Sequence, residues 1–286
     1  MPALFGPAGT GESFSAKGYK KTIQLPDYLE EFGLTAFEYQ CGQGVRISEK
    51  AAADLGKAMA DKSIRISVHA PYFISLSGVE EEKRLNSIGY ILDSARAVNA
   101  MGGDRIVIHS GSCSKMTREE ALALAVDTIK LARAALVEAG LGNIRCCLET
   151  MGKINQLGDL HEVMELCKTD DSYLPCIDFG HLNARTFGGI KTPSDYENIL
   201  NTIENELGSE RLKEFHSHFS KIEYTTKGGE SKHLTFEDTV FGPQYEPLME
   251  LIAKKNLSPT IICESAGTQT EDAAAMMNFW RSCVNE

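Results

Sequence analysis

Short β-rich runs alternate with longer amphipathic runs along almost the whole of this chain, and no Pro/Gly/Ser-rich linker divides it. Candidate strands end at Gly6, Tyr39, His69, His109, Glu149, Asp178, His218 and Glu264. Helices are expected near residues 27–32, 48–62, 80–101, 117–140, 158–168, 193–207, 244–255 and 271–283. Thr117 with Glu120 three residues on makes a capping box, and Leu122, Val126, Ile129, Ala132 and Leu136 then recur at helical spacing until Gly140 stops the run. Thr192 and Pro193 make a cap-then-proline start, and Pro175 opens an extended segment. Eight βα units in 286 residues fit a closed parallel (β/α)8 TIM barrel better than an open doubly wound sheet. The open sheet would also want a dinucleotide fingerprint, and GPAGTG after the first strand is not promptly followed by a helix. A single barrel domain over residues 1–286 is the expected architecture.

Composition narrows the class of function. Hydrophobic residues make up 42% and charged residues 24%, which supports a packed core and not a disordered chain. No run approaches the roughly 18 apolar residues of a membrane span. The opening MPALFGPAGTGESFSAKGYKK has glycines and polar residues where a secretory signal needs a continuous apolar stretch, so a cytoplasmic location and no membrane partner are expected. Lys and Arg number 29 against 40 Asp and Glu, a net charge of −11 that argues against coating nucleic acid through the whole surface and leaves room for a local basic mouth. The eight cysteines show no CxxC pair, and runs such as IRCCLE and LPCID read as buried reduced thiols.

The chemistry sits at the strand ends. His69 in RISVHAPY, His109 in RIVIHSGS, Glu149 in RCCLETMG, Asp178 in LPCIDFGH, His216 in KEFHSHFSK and Glu264 in TIICESAG each follow an apolar run. A barrel gathers the carboxyl ends of all its strands around one mouth, so these side chains converge although they lie far apart in sequence. Singly, each reads as a hydrogen-bonded structural group; together they make a charge cluster that needs neutralising. Imidazole mixed with carboxylate suits zinc, manganese or iron better than magnesium or calcium. His181 follows Asp178 by three residues and can turn over the mouth, and His233 lies in a long connection, 220–243, after the seventh strand. His218 shares a strand face with His216 and reads as a ligand or as a group that orients one, whereas His161 falls on a solvated helix face.

HAPYFISLS, IVIHSGS, CLETMG, CIDFGHLNAR, FHSHFSK, KHLTF and ICES, in this order and from about residue 36 to the carboxyl end, resemble the endonuclease IV family of AP endonucleases. The resemblance implies a TIM barrel with two or three zinc ions at the carboxyl face of its strands, cleaving damaged double-stranded DNA 5′ to an abasic site, with no protein partner implied. It implies that His69, His109 and Glu149 hold one zinc, that Glu149 bridges to a second held by Asp178, His216 and Glu264, and that His181 and His233 hold a third. Glu149 and Glu264 would be the catalytic carboxylates, and Tyr72 matches a DNA-contacting tyrosine. The family has an Asp two residues before the last His; here that position is Ser231, with Glu230 one step further back. The family's first DNA-entering loop is also poorly matched by CGQGVRIS.

Two rival readings follow from the same residues. A sugar isomerase or epimerase of the xylose-isomerase-like barrels would use Glu149, Asp178, His216 and Glu264 around one metal and move a proton α to a carbonyl, leaving His69, His109, His181 and His233 without a task. A non-enzymatic barrel would keep a coordinatively closed metal. Lys221, Lys227 and Lys232 in the long connection can lend positive potential, although Glu223, Glu230 and Glu237 interrupt them and make a solvated mixed-charge loop the plainer reading.

Overall fold

A computed structural model describes residues 2–284 of the chain. The elements run β1 (Leu4–Pro7), α1 (Glu12–Ala16), a short 3₁₀ turn, α2 (Leu25–Glu31), β2 (Ala36–Gln40), α3 (Glu49–Asp61), β3 (Arg65–His69), α4 (Glu81–Ala100), β4 (Arg105–His109), α5 (Arg118–Glu138), β5 (Arg145–Glu149) and α6 (Leu160–Cys167). They continue β6 (Leu174–Asp178), α7 (Phe179–Arg185), α8 (Pro193–Leu207), α9 (Ser209–Lys213), β7 (His216–Phe219), β8 (Lys221–Thr225), β9 (Gly229–Leu234), α10 (Glu246–Lys254), β10 (Thr260–Cys263) and α11 (Gln269–Val284).

Eight strands form one parallel sheet in the order β1-β10-β7-β6-β5-β4-β3-β2, and its two ends meet through the bridge of Ala8 with Glu38. Thr35 N donates to Phe5 O at 3.0 Å and Gly9 N to Glu38 O at 2.9 Å across that seam. The fold is therefore the (β/α)8 TIM barrel. Its strands are short and apolar on both sides, as RIVIH and LPCID show, because one face packs on helices and the other fills the barrel. Phe5, Tyr28, Ile106, Ile108, Leu148 and Phe179 belong to the large helix-side core, whereas Val107, Cys147, Leu174 and Cys176 make a small separate cluster. Val107 lies two residues from His109 and so shares its face, which puts that small cluster on the side leading to the mouth.

Strands β3 to β6 end on His69, His109, Glu149 and Asp178 as expected, and the other strand ends differ from the reading by one residue. The short helices α1 and α9 are not expected from the sequence, and two further features depart from it. Asp178 ends β6 and also caps α7, its Oδ1 accepting from His181 N at 2.6 Å, so the turn to the next helix is immediate. The connection 220–243 is not a bare loop: β8 and β9 fold there into an antiparallel hairpin. The cysteines are free thiols, seven buried and Cys283 partly so, and no helix of the structure is long and apolar enough to cross a membrane.

Candidate metal centre

The mouth is organised around Glu149, which burial alone would push up but which surrounding imidazoles, His218 foremost, hold well below the usual carboxylate range. Its Oε2 lies 3.3 Å from His69 Nε2 and 3.2 Å from His109 Nε2, and its Oε1 lies 2.9 Å from His218 Nδ1 and 3.5 Å from His181 Nδ1. A single carboxylate thus faces imidazoles on both of its oxygens. Burial opposes the charge on His69, yet its contact with Glu149 carries the ring up to about 9. His69 Nδ1 lies 2.7 Å from Ala70 O, which fixes its ring with Nε2 toward the cluster.

Asp178 is fully buried. One oxygen caps α7; the other, Oδ2, has no hydrogen-bond partner and lies 3.3 Å from His181 Nδ1. Burial raises this carboxyl, and an unpartnered buried carboxylate oxygen costs on the order of 1–3 kcal/mol unless a cation meets it. Donor atoms of Glu149, Asp178, His218 and Glu264 lie within 4.8 Å of one another, as do those of His69, Glu149 and His218 and those of His181, Glu230 and His233. Imidazoles and carboxylates so grouped, with an orphaned oxygen among them, fit divalent cations of the zinc, manganese or iron type.

The two histidines of β7 exchange the places expected of them. His216 pairs in register with Cys176, a layer below the mouth, and has no donor atom in the groups that contain Glu149. Burial lowers it to about 4, and its Nε2 lies 3.0 Å from Glu38 Oε2. His218 pairs in register with Asp178, and its Nδ1 lies 3.6 Å from Glu264 Oε1. Both side chains do face the barrel interior, as period two requires, but only the register of β7 against β6 decides which reaches the metal layer. Sequence reasoning misses Glu38 altogether. It is fully buried in β2, and the signal available is a lone carboxylate in the otherwise apolar run AFEY.

The hairpin explains why Ser231 does not carry the missing carboxylate. Lys221 to Glu223 pair with Leu234 to Lys232, but Tyr224 pairs with Glu230, which leaves Ser231 as an extra residue. This β-bulge restores Glu230 to the face shared by His233 and Ile222, and turns Ser231 outward to solvent. Glu230 Oε2 lies 3.5 Å from His181 Nε2, and the His181 and His233 rings stand 5.5 Å apart. His181 Nδ1 lies 2.9 Å from Thr150 O and His233 Nδ1 2.9 Å from Ser220 Oγ, so both rings are oriented from behind. Against burial, Asp178 and Glu230 raise His181 to about 9.

A cavity of about 300 Å³ opens over these groups, lined by His69, His109, Glu149, His181, Glu230, His233 and Glu264 together with Gln40, Tyr72, Met151, Lys153 and Gln156. Tyr72 stands on the rim at 58% exposure, beside Phe73. Of the lysines expected to lend positive potential, Lys221 is buried and spent on Phe236 O and Asp238 O at 2.8 and 2.6 Å, and Lys232 pairs with Glu223 at 3.3 Å. Lys153, not singled out in the sequence, is the one lysine or arginine among the described residues that lines the cavity. His161 is exposed, with Nδ1 3.9 Å from Glu206.

Known proteins resemble this chain in sequence and in fold. The model of the xylose isomerase-like TIM barrel family matches residues 26–283. An uncharacterized protein of Methanocaldococcus jannaschii is 35% identical over 283 residues, 99% of this chain and 97% of that protein. A probable endonuclease 4 of Mycoplasma genitalium is 30% identical over 207 residues, 70% of this chain and 67% of its own length. Among solved structures, a D-tagatose 3-epimerase-like protein superposes with a TM-score of 0.74 at 17% identity, covering 99% of this chain and 98% of its own. Endonuclease IV from Thermus thermophilus gives 0.67 at 18% identity, with 99% of each chain covered. Likeness at such low identity speaks for the fold alone, while the family model and the Mycoplasma relative speak for descent: this chain is a xylose isomerase-like TIM barrel protein of the endonuclease IV family.

Proposed function

We propose that the chain acts as a single barrel domain that hydrolyses the DNA phosphodiester 5′ to an abasic site, with zinc bound at the mouth, in cytoplasmic DNA repair. The observation that carries this reading is Glu149 with imidazoles on both oxygens beside a further group of His181, Glu230 and His233, a donor set larger than one ion needs. His69, His109 and Glu149 would hold one ion, Glu149, Asp178, His218 and Glu264 a second, and His181, Glu230 and His233 a third. Bound there, divalent ions supply phosphate binding, a lowered pKa for bound water and charge compensation for a departing alkoxide.

The chain's own residues do the rest. Glu264 reaches the cavity at the end of β10 and can orient an attacking water and accept its proton. Lys153 supplies a positive charge to a phosphate in the cavity, and the exposed Tyr72 ring offers a flat apolar face to a base at the rim. With a net charge of −11, DNA contact is confined to the mouth, and a shallow dependence of binding on salt follows.

The epimerase reading has one observation in its favour: Glu149, Asp178, His218 and Glu264 form a compact four-donor group by themselves. It leaves His69, His109, His181, Glu230 and His233 unexplained. The test is incision of a labelled duplex with one abasic site. Cleavage 5′ to the lesion that is abolished by chelation, restored by zinc and lost in Glu149→Gln is expected, whereas incision retained in that variant refutes the assignment.

A further inference from the structure

We propose that Arg185 is a positioning residue for substrate binding: its guanidinium gathers the carbonyls of the loop between β5 and α6 and so holds Lys153 over the cavity. The inference rests on the reading of Lys153 as a phosphate contact. Arg185 lies on α7 four residues after His181, so the two share one face of a helix that starts at the metal layer. Its hydrogen bonds run to backbone carbonyls of that one loop. Nη1 donates to Met151 O at 3.1 Å, Lys153 O at 2.9 Å and Gln156 O at 3.3 Å, and Nη2 to Gln156 O at 3.2 Å and Ile154 O at 3.5 Å. Four carbonyls of residues 151–156 thus turn toward one partly buried cation.

Carbonyl dipoles that converge repel one another, and the planar guanidinium fork is the side chain that can meet several of them at once. Arg118 reaches the same loop, donating to Ile154 O at 3.0 Å and Gln156 O at 3.1 Å, while its remaining donors go to Glu162. Met151 and Lys153, the residues that flank Gly152, are bonded by Arg185. Lys153 O accepts from Gln156 N at 3.1 Å as well, and Lys153 bridges to Gly229 of the hairpin. With its backbone fixed in this way, the exposed Lys153 lines the cavity beside His181, Glu230 and His233. Without Arg185 the gathered carbonyls would turn out to water, and the loop would carry the lysine with it. The loss falls on binding, since a charge that must first be ordered gives back part of its attraction to a phosphate.

The experiment uses full-length protein saturated with zinc, every variant matched for metal content because Gly152 O also accepts from Glu230 N. Two readouts are taken. One is hydrogen exchange at the Ile154 and Gln156 amides. The other is affinity, across a range of salt, for a duplex with a tetrahydrofuran abasic analogue whose 5′ linkage is a phosphorothioate, which keeps the charge and resists cleavage. Arg185→Ala is expected to speed exchange at both amides about tenfold, weaken binding about fivefold to tenfold and shrink the salt slope by about 0.9, the share of one phosphate. Lys153→Ala is expected to match it in slope and affinity with exchange unchanged. Adding Arg185→Ala to Lys153→Ala should then speed exchange and cost no further affinity, whereas an arginine that only supports the fold, or one that contacts DNA itself, would cost as much again. Wild-type exchange or wild-type slope in Arg185→Ala overturns the proposal, as does a binding loss that persists undiminished without Lys153. Should wild type not bind the abasic duplex, or Lys153→Ala bind as wild type does, the reading of the site fails and takes the proposal with it. If Arg185→Ala does not fold, Arg185→Lys keeps the charge and gives up the fork, and wild-type exchange and slope in that protein overturn the proposal equally.

Discussion

Replacing Gly152 by alanine probes the third donor group without replacing any of its donors. A Cβ built at Gly152 would meet Glu230 Cβ at 2.7 Å, Glu230 Oε2 at 2.8 Å and His181 Cδ2 at 3.0 Å. To reach 3.4 Å, the near edge of ordinary contact, Glu230 must retreat by about 0.7 Å. Rotation of its side chain does not relieve the contact, because Cβ itself is involved. The backbone is pinned as well: Glu230 N donates to Gly152 O at 3.2 Å, and Lys153 bridges to Gly229. The whole hairpin tip has to lift. Overpacking of this sort costs about 1–3 kcal/mol, a modest part of the stability of such a chain. For the metal the displacement is decisive, since ligand distances tolerate only about 0.2 Å. Gly152→Ala is therefore expected to hold the ion at His181, Glu230 and His233 at least tenfold more weakly while the Glu149 groups keep theirs. Metal content after dialysis against a graded chelator, with thermal unfolding in parallel, measures both. Wild-type zinc content at every chelator level would refute the reasoning.

Ser231→Ala should leave zinc content and stability within about 0.5 kcal/mol of wild type, because the bulge points that residue to solvent, whereas Glu230→Gln should lose the third ion; equal metal loss in both would contradict the bulge account. Gly89 sits inside α4 with nothing within 4 Å of a Cβ built there, so Gly89→Ala should raise the unfolding free energy by about 0.5–1 kcal/mol, read by urea titration. Glu162 accepts from Arg118 Nε and Nη2 at 2.7 and 2.6 Å and from the backbone of Gly158 and Asp159, and although burial opposes it these donors hold its carboxyl below the ordinary value. Its contribution is fully present above that ordinary value and is lost as pH falls through the lowered one, so Glu162→Gln should cost about 2 kcal/mol near neutrality and flatten the acid limb of the stability curve. A parallel shift at every pH would argue that the charge is not involved.

Much of the barrel could be read from the chain because its units repeat a simple period. Apolar runs that end in a single polar residue located the carboxyl ends of β3 to β6 to the residue, since nothing else in a βα unit combines burial on both faces with an abrupt polar stop. What escaped the sequence was relative placement. His216 and His218 have the same parity, and only the stagger of β7 against β6 puts His218 beside Asp178 and His216 beside Cys176. Ser231 and His233 likewise share parity in a regular strand. The extra residue that reverses this is visible only once β9 is paired with β8. Glu38 escaped because strand ends are where chemistry reaches the cavity, and a mid-strand carboxylate acts from the layer beneath. The lysines of 220–243 read most plainly as part of a solvated mixed-charge loop, and Lys221 departs from that by folding inward to bind Phe236 O and Asp238 O.

The mouth is proposed to cleave DNA at abasic sites with several metal ions. That proposal is tested most directly by offering one preparation, its metal content quantified, both a labelled abasic duplex and a ketohexose in deuterated water. Two or three zinc ions per chain, chelator-sensitive incision on the 5′ side of the lesion and no deuterium in the sugar are expected. One ion per chain, deuterium incorporated α to the carbonyl and an intact duplex would contradict it.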